Sequence, residues 1–241
     1  MKKIRFDVKN KQQNIYGELN IPDGTGPFPL VIYSHGYGYN FSLINLDHLT
    51  NQGIATYFFD FGGGSPQSRS DGDSLNMSVI TETEELIAII SSLKKVKEIN
   101  ESKIYLTGNS QGGVVSTLAG IKDQQDIQGM ILLCPAYVIF DHSKKYFKNP
   151  FRKKEFRFGN MKLSEKYYTD IRDLDIFQEI SNFKKPTIII HGNRDMMVPL
   201  KYAKQAQNNF PNSKLIVVKN AGHMLSGHSK TIEEEILNLI K

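Results

Sequence analysis

The stretch KIYLTGNSQGGVVSTL, residues 103–118, joins a short apolar run to a serine between two glycines and then to a helix-like segment. Gly108 and Gly112 stand two positions before and after Ser110. A sharp turn from strand to helix brings the two backbones so close that these flanking positions must lack a Cβ atom. The turn also strains the serine backbone and holds its hydroxyl at the positive end of a helix dipole. The pattern therefore predicts a strand, a tight turn that exposes Ser110 at the carboxyl end of a sheet, and a helix.

Two further residues distinguish a reactive serine from an ordinary glycine-rich turn. Asp195 follows an apolar, strand-like run, and His223 lies beyond the last such run. Serine is a weak nucleophile that needs an adjacent base, and an aspartate would hold the tautomer of that base. Ser, Asp and His in this chain order predict a catalytic triad of Ser110, Asp195 and His223.

Other residues compete for two of these roles. The alternative for His223 is a loop histidine without a role, with His228 as the rival base. We favour His223 because Gly222 permits a tight turn that aims it, whereas His228 opens a helix. The rival acids follow a long irregular segment rather than a strand end, and they are Asp173 and Asp175.

A tetrahedral intermediate needs two backbone N–H donors. One is expected from Gln111, directly after the serine, and the other from Tyr37, in the loop after the strand-like run 29–36. The side chains of these two residues are not needed for that role. His35 is interpreted as a structural hydrogen-bonding residue under the loop rather than as a catalyst.

Composition excludes several classes of protein. Of the 241 residues, 39% are hydrophobic, which is ordinary for a soluble domain. The net charge of +5 is too diffuse to indicate nucleic-acid binding. No apolar run is long enough for a membrane span, and the lysines near the amino end are not followed by the apolar part of a signal peptide. The single cysteine, Cys134, lies in an apolar run and fits a buried thiol in a reducing compartment. We expect a cytoplasmic protein, with a homodimer left open.

Neither a metal nor a phosphate cofactor is indicated. The six histidines are scattered, without a ligand spacing typical of zinc sites. The run 62–64, Gly-Gly-Gly, matches no phosphate-binding motif and is interpreted as a flexible rim of the pocket.

The rest of the chain alternates strands and helices, which predicts an α/β fold with helices on both faces of a mostly parallel, eight-stranded sheet. The first two strands form an antiparallel hairpin. The predicted strands are 3–9, 14–21, 29–36, 54–60, 103–107, 127–134, 186–192 and 214–220. The predicted helices are 41–52, 79–98, 111–121, 199–209 and a last one from about 229.

The alternation stops between the sixth and seventh strands. A structureless loop of that length is improbable in a compact domain, so residues 136–173 are interpreted as an inserted cap, with 1–135 and 174–241 as the core. The cap aromatics are interpreted as the wall of a pocket, and the charges as a solvated face. The charged residues are Lys144, Lys145, Lys148, Arg152, Lys153, Lys154 and Arg157. The aromatic residues are Tyr146, Phe147, Phe151, Phe156 and Phe158.

Over its whole length the chain resembles the α/β-hydrolase superfamily of serine hydrolases and is similar to bacterial cinnamoyl and feruloyl esterases. The matching pieces are His35-Gly36-Tyr37, Phe59-Asp60-Phe61, Ser70-Asp71-Gly72, Met77-Ser78-Val79, Ser110-Gln111-Gly112-Gly113-Val114-Val115 and Gly222-His223. The resemblance implies a carboxylesterase without a cofactor, with a small cap after strand six. It also implies that Asp141 and Tyr167 of the cap contact the substrate. Asn109 departs from the family, which typically has histidine there.

The expected function is a serine carboxylesterase of the EC 3.1.1 type, which hydrolyses small-molecule esters with short acyl or hydroxycinnamoyl groups through an acyl-enzyme. Two alternatives stay open. One is a peptidase or amidase of the same fold, which must recognise a peptide terminus. The other is a catalytically inactive hydrolase fold that serves as a binding module, against which the complete set of Ser, Asp and His argues.

Overall fold

The computed structural model describes residues 1–41 and 45–241. The strands are β1 (Lys2–Arg5), β2 (Val8–Asn10), β3 (Gln13–Ile15), β4 (Gly17–Ile21), β5 (Phe28–Ser34), β6 (Ala55–Phe59), β7 (Ile99–Asn109), β8 (Ile127–Leu133), β9 (Glu155–Phe158), β10 (Met161–Ser164), β11 (Thr187–Gly192) and β12 (Ser213–Val218). The helices are α1 (Asp47–Asn51), α2 (Val79–Leu93), α3 (Gln111–Lys122), α4 (Val138–Lys148), α5 (Lys166–Thr169), α6 (Ile176–Glu179), α7 (Lys201–Asn209) and α8 (Ser229–Ile240).

Eight of these strands form one sheet in the order β1-β4-β6-β5-β7-β8-β11-β12. Strand β4 runs antiparallel to both of its neighbours, β1 and β6, and every pair from β6 to β12 is parallel. The inner strands are apolar on both faces, so each packs against helices on its two sides. The predicted eight-stranded α/β fold and its amino-terminal hairpin are confirmed. In such a sheet the carboxyl ends of the parallel strands meet at one edge, where a site is expected.

Helix α2 carries a buried stripe and begins at a capping box between Ser78 and Thr81. The helix ends at Leu93 rather than at the predicted residue 98, because the chain turns there to start β7 at Ile99.

Helix α1 is also shorter than expected, since it covers Asp47–Asn51 of the predicted 41–52. Residues 42–44 of that prediction lie outside the described residues.

The segment 136–173, called the insertion below, is folded. It contains α4, the antiparallel pair β9–β10 and α5. A small apolar cluster of its own joins it to the loop before α2, and its buried members are Met77, Met161, Leu163, Tyr167 and Tyr168. Two hydrogen bonds also join the loop to the insertion. The Ser74 hydroxyl donates to the Lys162 carbonyl at 2.6 Å, and the Ser164 hydroxyl donates to the Leu75 carbonyl at 2.5 Å. No helix in the described part of the chain is long and apolar enough to cross a membrane.

Candidate active site

The turn between β7 and α3 places Ser110 in the left-handed region, with φ of 55° and ψ of −117°. A Cβ on Gly112 would lie 2.2 Å from the Ser34 carbonyl oxygen, and one on Gly108 would lie 2.2 Å from the Gly112 carbonyl oxygen. Both glycines are therefore required by the close approach of backbone to backbone. The strained serine is held by its own N–H, which donates to the Leu133 carbonyl at 2.8 Å. Its hydroxyl stands at the amino end of α3, as the sequence predicts.

Asp195 and His223 meet at the same edge of the sheet. Nδ1 of His223 lies 2.7 Å from Oδ2 of Asp195, and both residues are buried. The other oxygen, Oδ1, accepts from the backbone N–H groups of Met197 at 2.9 Å and Val198 at 2.8 Å. Burial opposes the charge, but hydrogen bonds from His191, His223 and Val198 outweigh it and hold the pKa of Asp195 below its usual range. An ionised Asp195 accepts the Nδ1 proton of His223, which leaves Nε2 free to act as a base.

His191 is a part of this arrangement that sequence reasoning missed. Its Nε2 lies 2.8 Å from the Val198 carbonyl and 3.3 Å from Oδ2 of Asp195. Because a carbonyl can only accept, this nitrogen carries the proton and points it at the aspartate as well. The sequence feature that could have identified His191 is its position four residues before Asp195, at the end of a buried strand.

Ser110 and His223 line one pocket at this edge, with a volume of about 780 Å³ that includes open solvent. The remaining wall is mostly apolar and comes from the insertion and from the loops after β5, β11 and β12, as is usual for small-molecule sites. Besides Ser110 and His223, the pocket is lined by Gly36, Tyr37, Tyr39, Asn109, Gln111, Ala136, Val138, Ile139, His142, Phe158, Tyr167, Met197, Val198 and Met224.

The two expected backbone donors both border the pocket. Gln111 is the first residue of α3, so its N–H has no partner within the helix. The N–H of Tyr37 donates to no described residue, whereas the next N–H, of Gly38, donates to Gly64 at 2.9 Å. Both N–H groups are therefore available to an oxygen atom bound next to Ser110.

The side chains of these two residues are engaged with the insertion, which the sequence did not predict. The Tyr37 hydroxyl donates to the Phe158 carbonyl at 2.6 Å. The Tyr167 hydroxyl donates to Oε1 of Gln111 at 2.6 Å, and Nε2 of Gln111 donates to Glu82 at 2.8 Å. Each residue that offers a backbone donor is thus also a tether of the insertion to the core.

Glu82 closes this chain of hydrogen bonds inside the protein. Its side chain is buried on α2, and burial raises its pKa well above the usual range, a shift that the bond from Gln111 only partly opposes. Burial therefore favours the neutral form of this carboxyl. The signal in the sequence was its position on the apolar stripe of α2, where an acid is unusual.

The sequence interpretation of 62–64 as a flexible rim is wrong. These glycines are buried and do not line the pocket. A Cβ on Gly63, whose φ is +70°, would lie 2.3 Å from the Asp73 carbonyl. The run is glycine because two backbone segments pack against each other there.

His35 is buried beside this run, where its Nε2 accepts from the Phe61 N–H at 2.9 Å, in agreement with the structural role expected for it.

Asp141 is not brought to the pocket with the other expected residues. Its carboxylate accepts from the Tyr202 hydroxyl of α7 at 2.7 Å, and it is not among the residues that line the pocket. One residue further along α4, a turn of about 100° brings His142 to the pocket instead. Tyr167 does line the pocket, although its hydroxyl donates to Gln111.

The competing residues have other roles. Asp175 caps α6, where its carboxylate accepts from the N–H groups of Phe177 and Gln178. His228 precedes α8, as expected.

The space around Gly222 does not require a glycine there, because an added Cβ would have its nearest contact at 4.0 Å and the φ of this residue lies outside the left-handed region. The sequence argument from Gly222 is therefore wrong, and His223 is positioned by Asp195 instead.

Cys134, His191 and Asp195 lie close enough together to suggest a metal site, since one donor atom of each falls within 4.8 Å of the others. Burial raises the pKa of the Cys134 thiol to about 12, so it offers no thiolate near neutral pH. Both oxygens of Asp195 already accept hydrogen bonds, and Nε2 of His191 donates. These donors fit a hydrogen-bonded aspartate better than a metal ion.

Comparison with known proteins agrees with the fold. The profile described as the prolyl oligopeptidase family matches residues 39–240. Esterase EstD of Thermotoga maritima is 23% identical over 96% of this chain and 63% of its own length. A proline iminopeptidase of Saccharolobus solfataricus is 29% identical over 72% of this chain and 50% of its own length. The chain thus spans between half and two thirds of these curated relatives.

A solved structure covers more of the chain. Est1E of Butyrivibrio proteoclasticus, with ferulic acid bound, superposes with a TM-score of 0.87 at 21% identity, over 98% of this chain and 99% of that one. A likeness at this identity establishes the fold. With the family profile across residues 39–240, it shows that the chain is an α/β-hydrolase-fold protein of the prolyl oligopeptidase family.

Proposed function

We propose that the protein is a serine hydrolase that cleaves carboxylic esters through an acyl-enzyme, with Ser110, Asp195 and His223 as its catalytic triad. The observation that carries the proposal is the 2.7 Å contact between Nδ1 of His223 and an ionised Asp195, in a pocket that His223 shares with the strained Ser110. A base with a fixed tautomer beside a serine on a tight turn is the arrangement that nucleophilic catalysis requires.

In the proposed mechanism His223 takes the Ser110 proton through Nε2 as the serine oxygen attacks the ester carbonyl. The oxyanion that forms accepts from the N–H groups of Gln111 and Tyr37, whose geometry is set before substrate arrives. Collapse of the intermediate expels the alcohol, which takes the proton from His223. Water then repeats the sequence on the acyl-enzyme, and the acid and Ser110 are released.

The charged Asp195 stabilises the imidazolium that exists between these steps. Its hydrogen bonds to the Met197 and Val198 N–H groups keep the carboxylate fixed while His223 gains and loses its proton. His191 acts as a second support, since its Nε2 lies 3.3 Å from the oxygen that faces His223.

We further propose that residues 136–173 form a cap over the pocket and that it selects the acyl or alcohol group. Support comes from the pocket wall, to which the insertion contributes Val138, Ile139, Phe158 and Tyr167. These side chains suit short acyl or hydroxycinnamoyl groups, and Est1E, of the same fold, binds ferulic acid.

The proposal is tested with p-nitrophenyl acetate, ethyl ferulate and an aminoacyl p-nitroanilide. We expect the wild-type protein to hydrolyse the esters, and Ser110→Ala to reduce kcat by a factor on the order of 10⁴ to 10⁶ without a change in Tm. Hydrolysis of the anilide but neither ester would assign the site to a peptidase. Ester hydrolysis that survives in Ser110→Ala would remove Ser110 from the mechanism.

A further inference from the structure

A groove beside the pocket carries unpaired positive charge. It lies between α4 and the segment that leads into β9, and Lys145, Arg152 and Lys153 are among its lining residues. None of the described residues that line it is acidic. None of these three cations forms an ion pair with a described residue, and the Arg152 guanidinium lies 5.5 Å from the Phe147 ring instead.

The groove adjoins the pocket that holds Ser110. Two side chains, His142 and Phe158, line both spaces. Along α4 and the residue that follows it, the pocket is lined by Val138 and His142, and the groove by His142, Lys145 and Asn149. These positions follow a helical repeat of three and four residues, so one face of α4 runs from the pocket into the groove.

The helix also sets the distance between the two spaces. At a rise of 1.5 Å per residue, Lys145 lies about 10 Å along the axis from Val138, which borders the pocket. Aromatic rings line the groove. Phe156 stacks on Tyr168 with ring centroids 5.4 Å apart and is tilted against Tyr146 with centroids 5.5 Å apart. An apolar chain from the pocket would therefore reach unpaired cations after about 10 Å along an aromatic surface.

Like charges that share a groove without a counter-charge repel one another, and an anion bound between them removes that cost. We propose that the groove binds an anionic group of the substrate, so that the preferred esters carry a carboxylate at the other end of an apolar chain from the carbonyl that Ser110 attacks. This substrate class rests on the proposed esterase function. It assigns a role to Lys145, Arg152 and Lys153, which the sequence alone places on a solvated face.

The test uses two matched pairs of esters, since the carboxylate can lie on the acid or on the alcohol side. The first pair is the mono-p-nitrophenyl ester of octanedioic acid and the same compound with its far carboxyl methylated. The second pair is the acetate ester of 8-hydroxyoctanoic acid and of its methyl ester. The variant is the triple change Lys145→Gln, Arg152→Gln and Lys153→Gln, and the control is Lys144→Gln, an exposed lysine of α4 that does not line the groove.

We expect the wild-type protein to prefer the carboxylate in at least one pair by about fivefold in kcat/KM at low salt, which is the upper end for one exposed ion pair. The preference should shrink as ionic strength rises, vanish in the triple variant and persist in Lys144→Gln. Turnover of the methylated esters should be equal in all three proteins.

Equal kcat/KM within both pairs overturns the anionic substrate class and leaves ester hydrolysis in place. A preference that survives in the triple variant also overturns it, because the groove is then not its source. Failure of the wild-type protein to hydrolyse any of the four esters contradicts the proposed esterase function, and the substrate class falls with it.

Discussion

At the carboxyl edge of the sheet, Asp195 lies within hydrogen-bonding distance of two backbone N–H groups and two imidazoles. At the far end of the insertion, Lys145 and Arg152 pair with no described carboxylate. The residues at this edge are positioned by the ends of strands and by hydrogen bonds to backbone groups, which have few alternative positions. The insertion is held by side chains, through an aromatic cluster and a few hydroxyls. Under the function proposed above, the edge performs the chemistry and the insertion selects the substrate.

The two regions meet at Tyr37 and Gln111, whose backbones face the pocket and whose side chains bond the insertion. Changes at the edge should therefore abolish turnover, and changes at the boundary should reduce stability and reaction rate by moderate amounts. Four substitutions test this contrast.

Asp195→Asn is expected to reduce kcat for p-nitrophenyl acetate by about 10⁴, because the amide stabilises the wrong tautomer of His223. Its Oδ1 can still accept from Met197 and Val198, so the fold should persist. Steady-state kinetics with circular dichroism checks both expectations. A loss below tenfold in a folded variant would contradict the role of Asp195.

Gly112→Ala tests the backbone constraint at the edge. Its methyl group would lie 2.2 Å from the Ser34 carbonyl oxygen, and backbone cannot give way as a side chain can. We expect a loss of unfolding free energy of about 3 kcal/mol or more, measured by urea denaturation. Gly222→Ala is the matched control, since its nearest contact is 4.0 Å away, and it should change the unfolding free energy by less than about 1 kcal/mol. Equal effects of the two changes would contradict the close-packed turn.

Glu85→Gln tests the effect of a buried acid on α2, the helix whose Glu82 accepts a hydrogen bond from Gln111. Burial raises the pKa of Glu85 to about 8, against about 4.3 in an unfolded chain. Between these two pH values the folded protein holds a proton that the unfolded chain has lost, so stability is full below the lower value and falls as pH rises to the upper one. The slope for one such group is at most about 1.4 kcal/mol per pH unit.

Glu85→Gln should therefore make the decline in unfolding free energy between pH 5 and about 8 shallower, with the largest gain at the upper end. The amide oxygen can still accept from the Gly62 N–H, as the carboxylate does at 3.0 Å. Glu98→Gln, at an exposed acid between α2 and β7, should leave the decline as in the wild type. A wild-type protein that becomes more stable over this range would show that the sign of the effect is wrong.

Tyr167→Phe has the smallest expected effect on turnover. It leaves Oε1 of Gln111 without its donor in a buried place, which should cost about 1 to 3 kcal/mol of stability. The Gln111 N–H stays in α3, so kcat for p-nitrophenyl acetate should fall by less than about tenfold. Tyr168→Phe is the control, because its hydroxyl donates to no described residue. A loss of 10⁴ in Tyr167→Phe would place the insertion in the chemistry itself and would erase the contrast between the regions.

The sequence predicted the edge well because its constraints are local. Gly108, Ser110 and Gly112 encode the turn within five residues, and the turn can be read from them alone. Chain order then indicated Asp195 and His223, since parallel strands bring their carboxyl ends to one edge. The role of His191 was not predicted, because it depends on a rotamer that directs Nε2 to Val198.

The insertion was less predictable because its side-chain directions depend on tertiary packing. Asp141 and His142 are adjacent, and the rotation of α4 about its axis, which the sequence does not state, turns one to Tyr202 and the other to the pocket. The interpretation of residues 62–64 failed for a related reason, since a glycine can indicate either a mobile segment or a close approach of two backbone segments. Only the position of Asp73 beside Gly63 distinguishes the two.

The central claim is that Ser110 is a nucleophile activated by His223 and Asp195, and covalent labelling tests it most directly. A fluorophosphonate is incubated with the wild-type protein, Ser110→Ala and Asp195→Asn, and the labelled peptide is identified by mass spectrometry. We expect one adduct on Ser110 in the wild-type protein, none in Ser110→Ala and much slower labelling in Asp195→Asn. An ester-hydrolysing wild-type protein without this adduct, or one labelled equally fast in Ser110→Ala, would contradict the claim.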